Sequence, residues 1–116
     1  MDRIIIYKIV PGELWRKAEE EGVFHGAAID LQDGYIHFST ASQARETARL
    51  HFAGVEGLLL VAVRVDALGD KLRFEPSRGG ELFPHLYGDL LLDAVLWQKP
   101  MPVGSDGLHI FPELER

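Results

Sequence analysis

The longest apolar stretches in this chain are of two kinds, and they predict different environments. Arg3 to Ile9 and Leu58 to Val65 are runs of β-branched and aliphatic residues with almost no alternation. The first is a strand closed by Pro11-Gly12, and the second suits a strand covered on both faces at the centre of a sheet. Elsewhere the pattern alternates. In Tyr35-Ile36-His37-Phe38-Ser39, residues at every second position share a face, so Ile36 and Phe38 point to an apolar layer and Tyr35, His37 and Ser39 point away from it. Leu72-Arg73-Phe74-Glu75 repeats the pattern with Arg73 and Glu75 on one face, and Phe83-Pro84-His85-Leu86-Tyr87-Gly88 places His85 with Tyr87.

Helical spacing is confined to the first half. Leu14, Trp15 and Ala18 form a stripe over Glu13 to Glu21, with Pro11-Gly12 before it and Gly22 as the stop. Ala44, Ala48 and Phe52 give a second stripe over Ala41 to Phe52, headed by Thr40 and Gln43 in capping-box spacing and ended by Gly54. Val23 to Gln32 reads as irregular up to the turn at Asp33-Gly34, and Pro76 to Pro84 as an ordered loop. Further strands are predicted at Leu92 to Lys99 and Leu108 to Phe111. Strands dominate and do not alternate regularly with helices, which is an α+β pattern in a single domain spanning residues 1–116.

Composition narrows the chemistry. With 116 residues and 47% apolar content the chain can bury a self-sufficient core. The absence of cysteine removes disulfides, thiolate metal sites and cysteine nucleophiles. The five histidines include no His-x-His or His-x-x-x-His pair, so no metal is expected. A formal charge of −6 disfavours a nucleic-acid partner, and no apolar run approaches a bilayer span, so a cytoplasmic protein without a membrane partner is expected.

The candidate chemistry lies in three blocks. Tyr35, His37 and Ser39 line one strand face that opens onto a helix N-terminus at Thr40, where free amides and the helix dipole favour an anion. The plainer reading is a solvated sheet face with Ser39 and Thr40 as helix caps. Arg73, Glu75, Ser77 and Arg78 form the second block; Arg78-Gly79-Gly80 suits a backbone nest with a guanidinium for phosphate or carboxylate, or else a simple glycine turn. His85 and Tyr87 form the third, with His85 as an acid–base group, a ligand donor or a structural histidine. Ser39 lacks the Gly-x-Ser-x-Gly elbow, which argues against a hydrolytic triad with His85. Trp15, Trp97 and His51 read as packing or helix-surface residues.

These blocks resemble a known family. Ile5 with Tyr7-Lys8-Ile9, Trp15 and Ala18, Asp33-Gly34-Tyr35-Ile36-His37-Phe38-Ser39-Thr40 with Gln43, Thr47-Ala48, His51-Phe52, Leu72-Arg73-Phe74-Glu75 and Gly80 through Phe83-Pro84-His85-Leu86-Tyr87-Gly88 are similar to the uncharacterised family called domain of unknown function 952. The resemblance implies a fold like that of ADP-ribosyltransferases: a split, strongly bent mixed sheet, here with two helices in the N-terminal half. A shorter likeness to RNA 2′-phosphotransferases runs through His37 to Ser39, the helix to Phe52, and Leu58 to Val65-Asp66-Ala67. Neither a His–Tyr–Glu nor an Arg–Ser–Glu triad can be traced in full.

The resemblance also implies a small-molecule ligand, NAD or another ADP-ribose derivative. His37 would hold a ribose, Arg73 or Arg78 the diphosphate, and Glu75 would stabilise positive charge at the ribose carbon. His85 and Tyr87 would close the pocket, with Tyr35, Ser39, Thr40 and Ser77 as further ligand contacts. The alternatives are a pocket that binds without turnover, and an interaction domain that docks through Leu90 to Trp97.

Overall fold

A computed structural model describes residues 4–115. Strand β1 (Ile5–Pro11) runs into helix α1 (Gly12–Glu21), followed by β2 (Val23–Phe24), α2 (Ala28–Asp33), β3 (Ile36–His37) and α3 (Ala41–His51). The second half is β4 (Leu58–Arg64), β5 (Leu72–Pro76), β6 (Leu82–Leu86), β7 (Leu90–Leu91) and β8 (Val95–Pro100), joined by short 3-10 turns.

The strands form three antiparallel sheets, ordered β1-β4-β8, β3-β6-β5 and β2-β7. The α+β class stands, but the expected mixed sheet does not: every ladder among the described residues is antiparallel. The first two sheets meet at a single bridge, where the Tyr7 amide donates to the Ser39 carbonyl at 2.8 Å and the Ser39 amide returns the bond at 2.9 Å.

The sheet β1-β4-β8 is covered on both faces, which explains its continuous apolar strands. One face packs Ile6, Val10, Val61 and Val63 against Trp15 and Ala18 of α1, together with Phe24, Ile36, Phe38, Leu86 and Leu90. The other packs Ile5, Tyr7, Ile9, Leu58, Leu60 and Ala62 against Ala48 of α3, Met101 and the C-terminal Phe111 and Leu114. Leu90 and Ala94 are buried, so much of the leucine-rich segment belongs to the core.

Helix α1 ends where expected, at Gly22 with φ 78° and its amide on the Ala18 carbonyl at 2.8 Å. At α3 the Gln43 half of the capping box is made, with Oε1 accepting from the Thr40 amide at 3.0 Å, while the Thr40 hydroxyl lies 3.2 Å from Ser42 Oγ.

Three expectations need correction. Residues 23–32 are not irregular: they hold β2 and most of α2, so three helices stand where two were expected. Both elements are too short for periodicity to reveal, and both depend on distant partners. Leu108 to Phe111 is not a strand; it makes one bridge, Val103 with His109, between Pro102 and Pro112, which have no amide to donate to a longer ladder. The strand at Tyr35 to Ser39 shrinks to Ile36–His37, with Ser39 bonded across to β1. Arg3, placed in the first strand by its sequence, lies outside the described residues.

Leu60 lies wholly buried in the middle of β4. Its replacement by alanine is expected to cost about 2–5 kcal/mol, read from the midpoint of urea unfolding at unchanged slope.

Candidate functional site

The sheet β3-β6-β5 gathers the histidines and arginine predicted from the sequence into one row. His37 on β3 is the register partner of His85 on β6, and His85 is in turn the partner of Arg73 on β5. Directly opposed residues share a face, so the three separate alternations describe a single surface. Tyr35 closes it: its ring stacks on His85 at 4.1 Å and 30°, and lies 4.6 Å from His37 and 5.2 Å from Tyr87. The two imidazole centroids are 5.6 Å apart, edge to face. Burial, then the charges of Asp33 and Glu75, raise the Tyr35 phenol above its ordinary value.

His85 is held by a carboxylate. Glu75 Oε1 lies 2.8 Å from His85 Nδ1 and accepts from the Tyr87 hydroxyl at 2.7 Å. The Tyr87 and His85 hydrogen bonds keep Glu75 below the usual carboxylate range, and the same bond to Glu75 raises the Tyr87 phenol. The His85 side chain is only 4% exposed, and its Nε2 has no hydrogen-bond partner among the described residues.

His37 is held by two carboxylates. Nδ1 lies 2.6 Å from Asp30 Oδ1, and Nε2 lies 2.9 Å from Asp33 Oδ2. Asp30 is a hub. Its carboxylate also takes the Lys8 ammonium at 2.9 Å, the Ala27 amide at 2.8 Å and the His37 amide at 3.1 Å. Lys8 and Asp30 are 5% and 2% exposed, so each is the counter-charge the other needs in the interior. Burial alone would raise the Asp30 carboxyl; the His37 bond, the Lys8 charge and the Ala27 amide outweigh it and hold the group at about 2. Burial draws the Lys8 ammonium below its usual value, opposed by Asp30. Gly26 is required here, since its φ is 124° and a Cβ would stand 2.9 Å from Asp30 Cβ.

These groups border a cavity of about 520 Å³. Its polar wall includes Lys8, Asp33, His37, Ser39, Thr47, Ser77, Arg78 and His85, with His51 at the end of α3; its apolar wall includes Ile9, Phe38, Phe52 and Phe83. The Arg78 guanidinium lies over the Phe83 ring at 4.8 Å and donates to Thr47 Oγ1 at 3.4 Å. It makes no ion pair among the described residues. Ser39 Oγ is 2.9 Å from the same Thr47 hydroxyl, so it is directed to Thr47 and not to His85.

The sequence-derived candidates therefore divide. His37, Ser39, Ser77, Arg78 and His85 line the cavity. Arg73, Glu75 and Tyr87 line a separate shallow depression with Asp70 and Lys71. The Glu75 carboxylate, expected at a reacting carbon, bonds His85 and Tyr87 and lines the depression, not the cavity. Arg73 and Arg78, taken as alternatives for one diphosphate, open into different spaces. Thr40 belongs to the α3 cap and to neither space. The Arg78-Gly79-Gly80 nest is also corrected: the amides of Gly80 and Glu81 bond the Ser77 and Arg78 carbonyls at 2.9 and 3.3 Å within the turn. Lys8, Asp30, Asp33 and Thr47 were missed. A lysine inside the run Ile4 to Val10 was the available signal, since a buried ammonium demands an anion.

The fold and site define an α+β protein with a two-histidine cavity beside a buried Lys–Asp pair. The chain belongs to the DUF952 family, described as protein of unknown function, whose model matches residues 9–98. It is similar to protein CC0527 from Caulobacter crescentus, at 43% identity over 91% of this chain and 93% of that one, with a TM-score of 0.88 to the crystal structure. The solution structure of the same protein gives 44% identity over 90% of each chain and a TM-score of 0.81. No curated protein matches.

Because Asp30 is depressed in the folded state, its stabilisation is complete above the ordinary carboxylate value and lost as pH falls through about 2. The loss attributable to Asp30 is expected to be about 2 kcal/mol, seen in urea unfolding repeated from about pH 5 downwards. Asp30→Asn is expected to remove that acid limb and cost about 3–5 kcal/mol at neutral pH by stranding Lys8.

Proposed function

We propose that the cavity binds a phosphorylated ribose compound, NAD, ADP-ribose or a smaller nucleotide, with Arg78 holding the phosphate. The observation that carries this reading is a half-buried guanidinium at the edge of a ligand-sized cavity, fixed by Phe83 and Thr47, with Glu46 acting on it through its charge but no ion pair among the described residues. Phe38, Phe52 and Ile9 offer an apolar wall to a base or nicotinamide ring. Ser39, Ser77 and the histidines offer hydrogen bonds to ribose hydroxyls. The sequence resemblance described above implies the same ligand class. A second reading, binding without turnover, is favoured by Glu75: with its carboxylate engaged by His85 and Tyr87, it does not face the cavity as a stabiliser of a ribosyl cation.

Thermal shift with NAD, ADP-ribose and AMP tests the reading. A ligand at about 100 times its dissociation constant is expected to add about 2.7 kcal/mol and raise the melting temperature by several degrees. Arg78→Ala is expected to weaken binding about 10- to 100-fold. No shift with any of the three, or an equal shift in the variant, rejects the phosphate site.

A further inference from the structure

We infer that this site opens a 2′,3′-cyclic ribonucleotide by adding water, with His85 as general base and His37 as general acid. The inference rests on the ribose-phosphate reading and adds the bond that is broken. His37 and His85 are direct cross-strand partners on one face, both lining the same cavity, with ring centroids 5.6 Å apart.

Their surroundings differ in the sense that two-proton chemistry requires. His85 meets one carboxylate, at Nδ1. A ring protonated there donates to Glu75 and presents the Nε2 lone pair, which has no partner among the described residues. His37 meets a carboxylate at each nitrogen, 2.6 Å from Asp30 and 2.9 Å from Asp33. When both nitrogens carry hydrogen the ring donates to both carboxylates, and Nε2–H is then the proton given. Two imidazoles on one face, one with a free ring nitrogen and the other with a carboxylate at each nitrogen, have the geometry of a base beside an acid. Arg78 adds a cation without an ion pair for the phosphate oxygens, where negative charge gathers in the transition state.

The step balances with water as the only co-reactant. Water oxygen bonds to phosphorus as its proton passes to His85 Nε2. The bond from phosphorus to one ribose oxygen breaks with its electron pair, and that oxygen takes the proton from His37 Nε2. The product is a nucleoside monophosphate with one ribose hydroxyl restored, and nothing is oxidised or reduced. Asp33, at the end of α2 with a side chain 36% exposed, is the group the ribose oxygen displaces from His37. The strained five-membered ring of the substrate suits acid–base catalysis, and a mononucleotide suits the cavity's size.

The test is incubation of the full chain with 2′,3′-cyclic AMP, followed by phosphorus NMR, with AMP binding measured alongside by thermal shift. Conversion to the monophosphate is expected, reduced about 100- to 10,000-fold in His85→Ala and in His37→Ala. AMP binding is expected to weaken as well, through the lost ribose hydrogen bond, but by at most about tenfold. Imidazole added to His85→Ala should restore part of the rate, a rescue that a purely structural histidine does not give; His85→Asn serves if the alanine variant does not fold. No conversion while AMP still binds overturns this inference and leaves the binding reading standing. Undiminished conversion by His85→Ala overturns the assignment of the base. Neither conversion nor binding removes both.

Discussion

The interaction on which the site depends is the ion pair between Lys8 and Asp30. An ammonium in the middle of a buried strand and a carboxylate on a six-residue helix are each costly in the interior, and the pairing makes the two positions interdependent. Asp30 then serves three structures with one carboxylate. It ties α2 to β1 through Lys8, receives the Ala27 amide at the helix start, and receives both the amide and the ring of His37 on β3. Helix α2 is too short to persist on its own propensity, so this network, and not helical periodicity, accounts for its presence.

The second constraint is strand register. A slip of one residue between β3 and β6 would turn His37 or His85 to the opposite face and separate the imidazoles. The hydrophobic pattern guards against this: Ile36 and Leu86, themselves register partners, are both buried in the core on the other side. Packing on one face of the sheet thus fixes the chemistry on the other. Glu75, one alternation beyond Arg73 on β5, reaches diagonally to His85, so the same register supplies the histidine and its carboxylate.

Period-two alternation was enough to read the local halves of this arrangement. Tyr35 with His37, Arg73 with Glu75, and His85 with Tyr87 each lie together as their spacing implies, and the unbroken run at Leu58 to Val65 lies at a sheet centre. Alternation says nothing about which strands are neighbours. It did not join the three pairs into one surface, nor assign Arg73 and Arg78 to different spaces. Lys8 and Asp30 are 22 residues apart and acquire meaning only through contact. At Arg78 the glycines do adopt positive φ, at 66° and 80°, but the turn itself takes up the amides of Gly80 and Glu81.

The bridge between Tyr7 and Ser39 has a mechanical corollary. Ile9 and Lys8 of one sheet and His37 and His85 of another border the same cavity, and the ladders of those sheets touch through one reciprocal pair of backbone hydrogen bonds. Two further ties act on the same pair of sheets: Ile6 and Val10 share a buried core with Ile36, Phe38 and Leu86, and Lys8 reaches His37 through Asp30. Backbone, core and ion pair thus fix the width of the cavity three times over, each by a different kind of force.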